Sequence, residues 1–135
     1  MLSVRQVLIL LVYGIVVWGS VAVLIRLSGP MLFDHGLRHA ILYAALIPIG
    51  VPFVWIGQKL ASLEASYLVA GTGVAVTVAL FLDGAAMVWM RPLNGATMEN
   101  QLSGAASLLW GVGVVMLAAF LMAHRSREEQ IRDQI

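Results

Sequence analysis

Four apolar runs, each about as long as a bilayer core is thick, constrain this chain more than any other feature. They extend from Val7 to Leu27, His39 to Gly57, Ser66 to Met90 and Ser103 to Ala123. A helix of about 20 apolar residues crosses the hydrocarbon of a membrane. In lipid every backbone N–H and C=O must be bonded inside its own segment, so such runs are expected as helices. Composition argues against a soluble alternative. The 135 residues are 61% hydrophobic and 11% charged, against about 45–50% apolar and about 25% charged in an average soluble domain. A core this small cannot hide so much apolar surface.

The links between the runs are short: Met31 to Arg38, Leu60 to Ala65 and Leu93 to Leu102. Short links set consecutive helices antiparallel and side by side. The expectation is one all-α integral membrane domain over 1–135, a four-helix up-down antiparallel bundle. The tail, 124–135, carries charges at helical spacing (Arg125 with Glu129, Glu128 with Arg132), so the fourth helix is expected to continue into water. The first run could be read as a signal peptide, with Arg5 at its start and Ser20-Val21-Ala22 as a cleavage site. Its apolar stretch is too long for that and reads as an anchor.

Basic residues in short loops set orientation. With four spans, Arg5, Lys59, Arg125, Arg127 and Arg132 share one side, and Arg26, Arg38 and Arg91 the other. The bias places both termini in the cytoplasm. Tyr43, Trp55, Tyr67 and Trp89 fall near the span ends, where amphipathic rings prefer to sit.

Asp83 is the first functional candidate. It lies within the third run, and a carboxylate at the membrane centre costs on the order of 2.5–3.5 kcal/mol. It continues the small-residue stripe Gly71, Ala75, Ala79 at four-residue spacing, so it is expected to face the bundle. Arg26, near the end of the first run on the same side, is the expected partner. A buried ion pair that fixes helix packing and a proton- or cation-binding site are both open. A second stripe, Ser107, Gly111, Val115 and Ala119, is expected to pack the fourth helix on the third, with a homodimer face as the alternative. Pro48 and Pro52 should kink the second helix, as ordinary irregularities or as a hinge or the lining of a polar cavity.

Asp34, His35 and His39 carry nitrogen and oxygen donors of the kind zinc or copper takes. Solvated interfacial residues are the ordinary reading of the three, and no metal is expected. Met98-Glu99-Asn100-Gln101 reads as a solvated loop, with a turn at Asn94-Gly95. The methionines Met87, Met90, Met98, Met116 and Met122 are dispersed and read as core filling. A net charge of +1 suggests no nucleic-acid partner. The lack of cysteine excludes a thiol nucleophile and Cys-ligated metals. There is no nucleophile elbow, metalloprotease motif, phosphate loop or dinucleotide fingerprint, so neither an enzyme nor a cofactor is expected.

Leu80-Phe81-Leu82-Asp83-Gly84 and Ala106-Ser107-Leu108-Leu109-Trp110-Gly111-Val112-Gly113 resemble segments of small bacterial four-helix membrane proteins defined only as a domain of unknown function. In that family an acid near the end of helix three and a Trp-Gly pair in helix four are similar. The resemblance covers about a third of the chain. It implies a bacterial inner-membrane protein and supplies no activity. The chain is also the size of the small multidrug transporters, but their pattern has a Glu inside helix one. Helix one here carries no acid, so that function is not carried over. Two expectations follow. The first is a non-catalytic accessory or assembly subunit that packs in the bilayer against other membrane helices, in a complex or a homo-oligomer. The alternative is a small oligomeric proton- or cation-coupled transporter or channel using Asp83.

Overall fold

The computed structural model describes residues 1–28, 37–89 and 98–133; within the helices some side chains, including those of Arg26, Arg38 and His39, lie outside the description. The described residues form four long helices and no strands: α1 (Val4–Ser28), α2 (Leu37–Ala61), α3 (Leu68–Trp89) and α4 (Met98–Asp133). A single 3₁₀ turn, Ala65–Tyr67, precedes α3. All four helices are long and apolar enough to cross a membrane. The third is the most enclosed by its neighbours and the first the least.

The return from α2 to α3 is tight. Ser62 takes a left-handed backbone (φ 49°), the N–H of Ser62 donates to the carbonyl of Lys59 at 3.2 Å, and that of Leu63 to Gln58 at 3.0 Å. These two bonds form a Schellman cap, which uses carbonyls the helix end leaves free. Leu63, the residue after the cap, is buried in the core.

Helix adjacency departs from the expectation drawn from loop length. The broadest contacts join α1 to α3 and α2 to α4, which are not consecutive, while α2 and α3 touch least of the principal pairs. Each major pair runs parallel. Along α1 and α3, Leu10 meets Gly71, Gly14 meets Ala75, and Trp18 meets Asp83. Along α2 and α4, Leu46 lies by Gly111 and Gly50 by Val114. The physical reason is close fit. A Cβ on Gly14 would stand 2.5 Å from the Ala75 carbonyl oxygen, and one on Gly50 would stand 2.9 Å from Val114 Cγ1. In lipid, where van der Waals packing drives association, the faces that approach most closely decide the neighbours.

The small-residue stripes serve these pairs. Gly71 and Ala75 seat α3 on α1, and Gly111 faces Leu46 of α2. The third and fourth helices also touch, less broadly than the two parallel pairs. The helix α2 runs unbroken through Pro48 and Pro52, and α4 approaches it closely at Gly50, between the two prolines.

The core is unevenly distributed. Its buried cluster consists of Leu10, Val54, Ala61, Leu63, Leu68, Ala118 and Ala119, all near the end where α1 and α3 begin and α2 finishes. The protein exposes 9047 Å² in all, where a soluble protein of this mass exposes about 6,900 Å². Much of the excess is apolar: Leu8, Val12, Ile47, Phe81, Leu109 and Leu117 all face outward.

Candidate functional site

Asp83 sits on the face of α3 turned toward α1. The parallel register of these two helices brings Trp18 to the same depth. The Trp18 indole Nε1–H donates to Asp83 Oδ1 at 2.7 Å, the short length of a charge-assisted bond. Asp83 Oδ2 has no donor among the described residues. Both side chains are half-buried.

A cavity of about 190 Å³ opens beside the carboxylate. All four helices wall it: Val17, Trp18 and Val21 from α1, Leu46, Ile49 and Phe53 from α2, Ala75, Ala79 and Asp83 from α3, and Leu108, Gly111 and Val115 from α4. Among the described residues Asp83 is the one ionisable group in its lining. Toward the packed end the cavity meets Phe53. There the Tyr13 hydroxyl donates to the Phe53 carbonyl at 2.8 Å, and the two rings lie 5.2 Å apart. Beyond this pair only about 10 Å³ of space remains among Leu10, Val54 and Leu63.

The hydroxyls within the spans do not converge on Asp83. Ser20, Thr77 and Ser107 each donate to the carbonyl four residues earlier, at 2.9, 2.7 and 2.8 Å. Among the described residues the hydrogen bonds that cross between spans come from aromatic donors: Trp18 to Asp83, Tyr13 to Phe53, and Trp110 Nε1–H to the Tyr43 carbonyl at 3.2 Å. An indole or phenol buried in an apolar setting seeks such an acceptor.

Of the residues singled out in the sequence, Asp83, Ala75, Ala79 and Gly111 come together at this cavity. Ser107 is buried in α4 near it. Pro48 lies on α2 between the lining residues Leu46 and Ile49, and Pro52 next to Phe53. The expected pair of Asp83 with Arg26 involves a side chain outside the described residues, as do Asp34, His35 and the side chain of His39. The same holds for Arg91, the Asn94-Gly95 turn and the side chains of Glu99, Asn100 and Gln101. Among the described residues no three metal-ligating side chains converge.

Sequence reasoning missed Trp18. Its signal was available: a tryptophan far from the ends of its span needs an acceptor for its N–H. At the packed end, the Met1 amino group donates to the Tyr67 hydroxyl at 2.7 Å, and the Lys59 ammonium stands 4.1 Å from the Trp55 ring centroid. His124 and Glu128 pair at 3.3 Å on the exposed stretch of α4.

Comparison with known protein families, curated proteins and solved structures finds no match. The resemblance to the four-helix family therefore gains no further support and contributes no activity.

Proposed function

We propose that this chain is a multi-pass membrane protein that takes up a proton or a small cation at Asp83, inside a cavity walled by its four helices. The observation that carries this reading is the placement of the carboxylate: Asp83 lines about 190 Å³ of space while its Oδ2 has no described donor. Acids of this kind face cavities along proton or substrate paths. The loops are too short to build a soluble catalytic site above the bundle, so the reading involves no covalent chemistry. Pro48 and Pro52, on the cavity stretch of α2, are the hinge candidates, since each removes a backbone donor from the helix.

The excess of outward apolar surface supports a bilayer as the solvent. The excess of Lys and Arg at Arg5, Lys59, Arg125, Arg127 and Arg132 supports an orientation with both termini in the cytoplasm. With the resemblance noted above, the location proposed is a bacterial inner membrane.

The test is flux. In liposomes carrying the full chain and an internal pH dye, proton movement should exceed that of empty vesicles and fall to background with Asp83→Asn. Equal rates for the two proteins would remove the proposal. The second reading, an accessory or assembly subunit, draws on Gly73, Gly84 and Gly113, which have open space where a Cβ would stand. Such positions on outer faces admit a partner helix closely. A stoichiometric complex isolated from native membrane in mild detergent, together with no flux, would favour it.

A further inference from the structure

We infer that the cavity is a binding site for a small organic cation, a protonated amine on a single-ring apolar body, with Asp83 as its counter-ion. The inference rests on the reading of Asp83 given above and names the class of ligand.

Four observations narrow the class. First, among the described residues the one charge in the lining is negative, which favours a cation over an anion. Second, among the described residues the lining holds no serine, threonine, asparagine, glutamine or second acid. A calcium or magnesium ion takes about six to eight oxygen ligands, and magnesium keeps several waters. One carboxylate in an apolar chamber does not meet that need. Third, Trp18 donates to Oδ1, and among the described residues Oδ2 has no donor, so it can accept from an ammonium N–H. Trp18 of α1 and Phe53 of α2 both line the cavity, and aromatic rings attract organic cations. Fourth, the size fits. A dry protein cavity of about 150 Å³ takes one benzene, and this one measures about 190 Å³, enough for a ring with a short aminoalkyl arm. A proton alone needs none of this volume.

The test uses the full chain in lipid nanodiscs, with empty nanodiscs as the blank. Benzylammonium and its neutral counterpart benzyl alcohol are titrated by calorimetry. Benzylammonium should saturate at one site per chain and bind at least tenfold more tightly than benzyl alcohol. Asp83→Asn should erase that preference, and Asp83→Glu should retain most of it. Ala79→Leu fills the cavity without touching the charge and should weaken benzylammonium at least tenfold, which covers the case in which Asp83→Asn fails to fold.

The inference is overturned if the two probes bind alike, if benzylammonium ignores Ala79→Leu, or if equimolar sodium displaces it. Asp83-dependent proton flux without benzylammonium binding would remove the ligand class and leave the proton reading standing. Loss of both would remove both.

Discussion

The two ends of the bundle are built on different terms. At the end where α1 and α3 begin, Leu10, Val54, Leu68 and Ala119 are almost wholly enclosed, and backbones approach until Gly14 leaves no room for a methyl group. Beyond Tyr13 and Phe53 the same four helices line a cavity that begins at Gly14, Gly50 and Ala75 and reaches a carboxylate. The packed end is defined by close fit, and the open end by an acid on a cavity. This division suits a membrane protein, because a carboxylate packed as tightly as Leu10 would pay the full cost of desolvation. The helix registry that places Trp18 opposite Asp83 is fixed by Leu10 with Gly71 at the packed end and by Gly14 with Ala75 at the edge of the cavity.

That contrast can be broken by mutation, with unfolding in mixed micelles as the common measurement. The largest difference is expected between two leucines. Leu10→Ala should cost about 2–5 kcal/mol, as for other fully buried leucines. Leu108→Ala, on the cavity wall, should cost less than half as much, because its side chain already lacks packing partners on one side. Equal losses would mean that the open end is as well packed as the closed one.

The Trp18–Asp83 bond comes next. A hydrogen bond to a charged group is worth about 1.5–3 kcal/mol, so Trp18→Phe should lose about that much. In a double-mutant cycle with Asp83→Asn, a coupling of that order is expected. Additive effects would show that the bond does not hold the acid in place.

Glycines should divide in the same way. Gly14→Ala should cost about 1–3 kcal/mol or more, since the backbone of α3 would have to retreat from the new methyl group. Gly113→Ala, with open space around it, should stay within about 0.5 kcal/mol of the parent. The smallest effect expected is a gain. Ser62→Gly relieves a left-handed backbone that costs an L-residue about 1–2 kcal/mol, and the unfolding midpoint should rise. A fall would place the constraint in the Ser62 side chain.

Much of the architecture was legible in the sequence because hydropathy is a local property. Each apolar run carries its own evidence for a helix, and a charge inside one, Asp83, stands out without knowledge of any neighbour. Trp18 did not stand out, since in one dimension it is one more apolar aromatic. Only its position across from Asp83 gives its N–H a role. Loop length suggested that consecutive helices would be nearest neighbours. It could not reveal that α1 fits α3, and α2 fits α4, more closely.

By itself, then, the sequence determined four helices apolar enough to span a membrane, one acid within them and the small residues that permit close approach. The tertiary structure decided which helices pair, that Gly71 and Ala75 seat α3 on α1, and that Asp83 meets an indole at the edge of a cavity. The reason is physical. Helix formation depends on residues a few positions apart, whereas partners and cavities depend on which surfaces fit when segments distant in the chain are brought together.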